Sequence, residues 1–314
     1  MQSQPPDHAE LPAPDLDELR AFVRASIPWL AAGDIRFLAD GWDHWSYVAG
    51  SHVLRLPKRR VHLGELADDG PLLTALAPVL PLPIPAFEGR YAGGPNGLPV
   101  GVYALVPGVQ VRGLTRPAAP GFGANLGRFI KALHAFPVDQ AAALGVSTHA
   151  AADARRNRLA RYEREVSRVL PLLQRGARDF LQRRFEVYFA DECNFEYEAV
   201  LCHNDLESSN ILADPRSGQI SGVIDFGDTV IGDPAGDFTW ALLGGLEMLG
   251  AADQIADLLR EAGVQRDEFI HRCEFYKFWW PFDDVAHGLD VDDAIYIERG
   301  LANLDATLPP ELRR

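Results

Sequence analysis

The stretch His203-Asn204-Asp205-Leu206-Glu207-Ser208-Ser209-Asn210-Ile211-Leu212 carries the decision about this chain, together with Ile224-Asp225-Phe226-Gly227-Asp228, whose first aspartate follows Asn210 by fifteen residues. Val200-Leu201-Cys202 before the first stretch and Ile211-Leu212 at its end are short apolar runs suited to buried strands. Asp214-Pro215-Arg216-Ser217-Gly218 has turn chemistry, and Ile220–Ile224 returns as a second strand. A hairpin of this kind brings Asn210 and Asp225 to the same end, within reach of one ion. An amide and a carboxylate there offer the hard oxygen ligands that magnesium takes, and Asp205 is left to meet a proton.

The order matches a protein kinase catalytic loop, in which His-x-Asp is followed five residues later by Asn and further on by Asp-Phe-Gly. In that loop the first Asp accepts a hydroxyl proton, while the Asn and the later Asp hold magnesium against nucleotide phosphates. Phosphoryl transfer asks the protein mainly for alignment and for positive charge over the moving oxygens. The chain therefore reads as a phosphotransferase with Asp205 and His203 as catalytic side chains and Asn210 and Asp225 as metal ligands. Taken singly, each of these residues is ordinarily a turn or cap residue; the ordered set, framed by strands, is what carries the chemistry.

The 314 residues, 47% hydrophobic and 24% charged, suffice for one large or two modest globular domains. A net charge of −14 disfavours a nucleic-acid partner and is compatible with a cationic small molecule. Three cysteines without Cys-x-x-Cys spacing, and no His-Glu-x-x-His, suggest neither a disulfide framework nor a zinc site. Met1–Asp17 is polar and acidic, and no run of eighteen apolar residues exists, so a cytoplasmic chain without a membrane partner is expected.

Along the chain, residues 1–14 read as a loose Pro-rich leader. Leu16, Leu19, Phe22, Val23 and Ile27 then repeat at helical spacing behind a capping Asp15 and before Pro28. Strands are expected at Ile35–Ala39, Trp45–Ala49 and His52–Leu56, the last two joined at Gly50-Ser51. The Gly41–Ser46 loop occupies the place of a phosphate-covering loop. Arg55 stands where kinases carry a phosphate-gripping lysine, presenting a planar fork instead of a point charge. Its helix partner is to be sought among Glu65, Asp68 and Asp69, with Glu65 preferred for its reach. A hairpin over Ala86–Tyr91 and Val100–Val106 leads to a hinge at 103–108, where main-chain groups of Ala104 and Val106 can meet a purine. The sequence then turns helical. The expected class is α+β: a bilobal, protein-kinase-like fold with a small antiparallel-sheet nucleotide lobe over 1–106. A larger, mostly helical catalytic and acceptor-binding lobe follows over 107–314.

From Gly41 to about Leu304 the chain resembles the aminoglycoside phosphotransferase family, with greatest likeness to the aminoglycoside 2″-phosphotransferases. The motifs are His203-Asn204-Asp205-Leu206-x-Ser208-Ser209, then Ile224-Asp225-Phe226-Gly227-Asp228-x-x-Ile231-x-Asp233-Pro234-x-x-Asp237-Phe238, and the Tyr276–Gly288 and Tyr296–Leu301 segments. The resemblance implies transfer of a nucleoside triphosphate γ-phosphate, with magnesium, to a hydroxyl of a small molecule. It maps the base onto Asp205 and the metal ligands onto Asn210 and Asp225, and it places Ser46 in the phosphate loop and Tyr103 beside the purine as a gate. A bulky gate is similar to members that favour guanine, so ATP or GTP is expected as donor. Asp237 is positioned to cap a helix starting at Phe238.

The chain departs from the 2″-phosphotransferases in the helix after that aspartate. Trp240–Gly250 keeps only Glu247 of the acidic cluster that meets the drug's amines. Asp283, Asp284, Asp290, Asp292 and Asp293, beside Trp279 and Trp280, are expected to line the acceptor side instead, an aromatic wall with carboxylates suited to a cationic ring acceptor. Two alternatives stand beside an aminoglycoside-like acceptor: a kinase of another hydroxyl metabolite or antibiotic such as a macrolide, and a nucleotide-binding regulatory pseudokinase.

Overall fold

The computed structural model describes residues 11–30, 35–41, 44–59, 65–115, 119–149, 151–244 and 252–313, apart from the side chains of 65–68, 152 and 252. Asp15 accepts hydrogen bonds from the N–H groups of Asp17 and Glu18 at 2.9 and 3.1 Å and so starts α1 (Leu16–Ser26). The buried stripe Leu19, Val23 and Ile27 holds this helix against a sheet. The chain packs as two compact units: the first takes Met1–Val109, Leu212–Asp214 and Ser221–Gly227, the second everything else.

The first unit is built on five antiparallel strands, β1 (Arg36–Asp40), β2 (His44–Ala49), β3 (His52–Pro57), β4 (Phe87–Tyr91) and β5 (Val100–Ala104), in the order β1-β2-β3-β5-β4. Side chains alternate between the faces of a strand. Trp45, Tyr47, Ala49, Leu54, Leu56, Val100 and Val102 all join the α1 core. The intervening residues must therefore line the other face, and the register places Ser46, Arg55 and Gly101 directly across from one another there. Gly101 contributes no side chain on its side of Arg55. α2 (Glu65–Leu76) packs on β3, β4 and β5. Its Gly70 comes so near Phe87 that an added methyl would stand 2.6 Å from the ring.

The second unit is mostly helical. It contains α3 (Phe122–His134), α4 (Val138–Ala143), α5 (Ala151–Val169), α6 (Arg175–Ala190), α7 (Thr239–Leu243), α8 (Ala252–Ala262), α9 (Arg266–Val291) and α10 (Ala294–Thr307). β7 (Val200–Cys202) pairs antiparallel with β10 (Val230–Gly232). The strands β6 (Val109–Gln110), β8 (Ile211–Ala213) and β9 (Ile220–Val223), most of whose residues belong to the first unit, form a sheet in the order β6-β8-β9. The core of the second unit is aromatic: Phe185 meets Phe275, Trp279 and Phe282 edge-on at 5.2 to 5.9 Å. Tyr188 stacks on Phe275 at 3.8 Å. No helix among the described residues is long and apolar enough to cross a membrane.

Candidate active site

In the first unit Arg55 is the hub. Its Nη2 donates to Asp225 Oδ1 at 3.4 Å and lies 3.3 Å from His44 Nδ1, and its Nη1 is 4.0 Å from Asp69 Oδ2. Asp69 belongs to α2 and accepts a hydrogen bond from the Tyr103 hydroxyl at 3.0 Å. Burial pushes the Asp69 carboxyl above the usual carboxylate range, against the downward pull of Arg55 and the Tyr103 hydrogen bond. Burial, and then the Asp69 charge, push the Tyr103 hydroxyl up as well, which keeps it a donor. Of the three carboxylates considered for Arg55, Asp69 is the one described beside it; the side chain of Glu65 lies outside the described residues.

Ser46 sits half-buried opposite Arg55 on β2. Tyr103 is buried, its ring edge-on to Phe87, and it backs the Arg55–Asp69 pair through its hydroxyl. The N–H of Ala104 is committed to the Ala86 carbonyl at 2.8 Å, which leaves Ala104 only its own carbonyl for a purine. Val106 is buried two residues on. His44 was not singled out in the sequence. Its place two residues before Ser46 on one strand was the available signal, because period-2 alternation sends both to the Arg55 face.

In the second unit the catalytic loop follows β7. Asn204 adopts a left-handed φ of 68°, a conformation Asn tolerates better than most residues, and this turns Asp205 out of the strand. The Asn210 Nδ2 donates to Asp205 Oδ2 at 2.6 Å and to the Asp205 carbonyl at 3.0 Å. Two acceptors fix the orientation of that amide, and its oxygen points the other way. Asp205 stays half-exposed. His203, expected among the catalytic side chains, is completely buried, and its Nδ1 accepts from the Asp205 N–H at 3.3 Å. Through that bond it shapes the loop.

Asp237 does more than its expected capping role and does it elsewhere. It lies within a 3-10 turn, Pro234–Phe238, and α7 has no side-chain cap. Its buried carboxylate instead accepts from the His203 N–H at 3.1 Å, the Asn204 N–H at 2.7 Å and His134 Nε2 at 2.9 Å. Asp237 thus clamps the catalytic loop by its backbone. Asp233 caps the 3-10 turn through the Ala235 N–H at 2.9 Å and binds Arg272 and the Tyr276 hydroxyl at 3.1 and 3.0 Å. His134, Cys202 and Asp237 offer ligand atoms within 4.8 Å of one another, but those Asp237 oxygens are already spent on the loop.

Residues 34–274 match the model of the phosphotransferase enzyme family. The chain belongs to that family. It is a phosphotransferase. Among solved structures, the GDP complex of wild-type aminoglycoside 2′-phosphotransferase-IIIa is 24% identical, with a TM-score of 0.79 over 91% of this chain and 96% of that one. The macrolide 2′-phosphotransferase MphH from Brachybacterium faecium is 25% identical, with a TM-score of 0.72 over 94% and 100%. The streptomycin–ATP–APH(2″)-IIa ternary complex is 20% identical, with a TM-score of 0.62 over 94% and 96%. The fold is the kinase-like fold of the family.

The residues expected on the acceptor side of this phosphotransferase lie on α9, except Glu247, which is outside the described residues. Trp279 is buried among Phe185, Phe189, Phe275 and Phe282, so it belongs to the core and not to a wall facing an acceptor. Trp280, one residue on, is half-buried, stacks on Tyr276 at 5.3 Å and tilts against Trp240 at 5.7 Å. Asp283 accepts from Arg161 Nε at 2.7 Å. Burial, followed by the charges of Asp283 and Asp228, pushes the Asp284 carboxyl up to about 7.

Proposed function

We propose that this phosphotransferase moves the γ-phosphate of ATP or GTP to a hydroxyl of a small antibiotic-like acceptor, of the aminoglycoside or the macrolide kind. Asp205 orients the acceptor hydroxyl and takes its proton, and the first and second units serve nucleotide and acceptor respectively. The observation that carries this reading is the Asp205–Asn210 pair. A single amide steers the carboxylate through Nδ2, and its oxygen, 3.5 Å from the Ser209 hydroxyl, has a second lone pair for another partner. A purely regulatory nucleotide binder has no use for a half-exposed base held this way.

Magnesium fits the donors present. Asn210 has an amide oxygen turned away from Asp205, and Asp225 keeps a side chain 47% exposed on a left-handed backbone with φ of 68°. Both are oxygen ligands for a hard cation, which when bound supplies positive charge against the phosphate oxygens. The cationic fork of Arg55, held by carboxylates on two sides, is suited to gripping phosphates. The complexes of GDP and of streptomycin with ATP named above support a nucleotide donor and a small hydroxylated acceptor.

The test is Asp205→Ala in a coupled nucleotide-consumption assay with an acceptor panel. Removing the base lowers kcat by roughly 10²–10⁴-fold, while nucleotide affinity changes little. Near-normal turnover by the variant rules out the assignment of Asp205.

A further inference from the structure

The acceptor class is narrowed by how charge and aromatic surface are disposed on α9 and its neighbours. A polyamine acceptor requires several carboxylates whose charge is still available. Among the described residues, Asp283 is bound to Arg161 at 2.7 Å, and Asp290 to Arg161 and Arg168 at 2.7 and 2.6 Å. Asp293 spends an oxygen on the Ile295 and Tyr296 N–H groups at the start of α10, at 2.9 and 3.2 Å. Asp284, with its carboxyl near 7, is only partly ionised at neutral pH. The part of the acidic face made by Asp283, Asp284 and Asp290 is therefore largely neutralised.

An aromatic surface stands beside it. Trp280 is backed by the buried ring of Tyr276, stacked at 22°, and meets Trp240 at 37°. Gly236 sets where this surface lies: a methyl placed there would come 3.0 Å from Asn204 Oδ1 and 3.9 Å from Trp280 Cζ2. The Trp280 ring edge and the side chain of Asn204, the residue directly before Asp205, thus flank the same glycine, and all three residues lie within the second unit.

We propose that Trp280, with Trp240, is the acceptor platform of this phosphotransferase. It selects hydroxyl compounds that present an apolar ring face and a single amine over polycationic ones. The inference rests on the reaction proposed above for what happens after binding, but binding itself can be read separately.

The experiment titrates the full chain with a single-amine macrolide (erythromycin) and a polyamine aminoglycoside (kanamycin), by calorimetry and by tryptophan fluorescence. Erythromycin binds at least ~10-fold more tightly, Trp280→Ala weakens it by ~10-fold, and Trp280→Phe restores most of the loss, as expected for a ring contact of moderate strength. Arg161→Gln releases Asp283, leaves Asp290 with Arg168, and strengthens kanamycin binding. Equal or tighter binding of kanamycin to the unaltered chain, an unchanged erythromycin affinity in a folded Trp280→Ala protein, or binding of neither compound overturns the proposal. Erythromycin binding without phosphate transfer would count against the reaction and leave the platform standing; kanamycin turnover at the higher kcat/KM would do the reverse.

Discussion

Replacing Asp237 by Asn leaves the side chain's shape intact and removes one of its two acceptor atoms. In the native chain Oδ1 takes the Asn204 N–H, and Oδ2 takes the His203 N–H together with His134. An amide has a single oxygen, so in either orientation its NH2 group faces one of the two backbone N–H groups. One buried donor is then unsatisfied, at ~1–3 kcal/mol, and the surviving bonds drop from charged to neutral strength, which loses a further ~1–2 kcal/mol. Asp237 has no exposed side-chain surface in which water could take over. A total of ~2–5 kcal/mol is a large part of a domain's margin of ~5–15 kcal/mol. The loop also loses its register, and misplacement of a catalytic group by an ångström costs ~100-fold in rate. Urea denaturation should show the loss of stability. Steady-state kinetics should show kcat falling by about two orders of magnitude with the nucleotide KM nearly unchanged. A variant with the parental melting behaviour and the parental kcat would refute the clamp.

Two further outcomes follow from the charged groups. Asp284 binds a proton in the folded state between the ordinary carboxylate range and about 7, where the unfolded chain has released it. Stability conferred by that proton is complete at low pH and is lost as pH rises towards 7. Asp284→Asn does not titrate, so its stability relative to the parent should grow between pH 5 and 8 by ~1–2 kcal/mol, well short of the full shift because the side chain is partly exposed. A difference that stays flat with pH in parallel denaturant melts would contradict this. Arg55→Ala removes the cation shared by Asp69, Asp225 and His44. Loss of a charge-assisted contact to phosphate should raise the nucleotide KM by ~10-fold or more; an unaltered nucleotide KM would remove Arg55 from the phosphate grip.

Much of the small unit could be read from local pattern. Asp15 caps α1 as its side chain and position suggest, and β2 and β3 run within a residue of the expected strands. The partner of Arg55 could not be read so directly. Glu65 and Asp69 stand four apart on α2, hence on one helix face, and the sequence cannot tell which turn of that face meets β3. Trp279 and Trp280 posed the same difficulty. Successive residues on a helix point about 100° apart, so one of the pair joins the aromatic core and the other faces outward, and the phase is set by what α9 packs against.

The ordered Asp205, Asn210 and Asp-Phe-Gly aspartate could be read from the chain because such a motif is local, carried by side-chain type and by short spacing. What folding added is long-range. Asp237 reaches back 33 and 34 residues to hold the loop amides, and Asp283 meets an arginine 122 residues away. Charged and hydrogen-bonding groups take whichever counterpart lies nearest in space, and chain separation says nothing about that. An aspartate that looks ready for a cationic ligand in the sequence can therefore have its charge already matched once the helices pack.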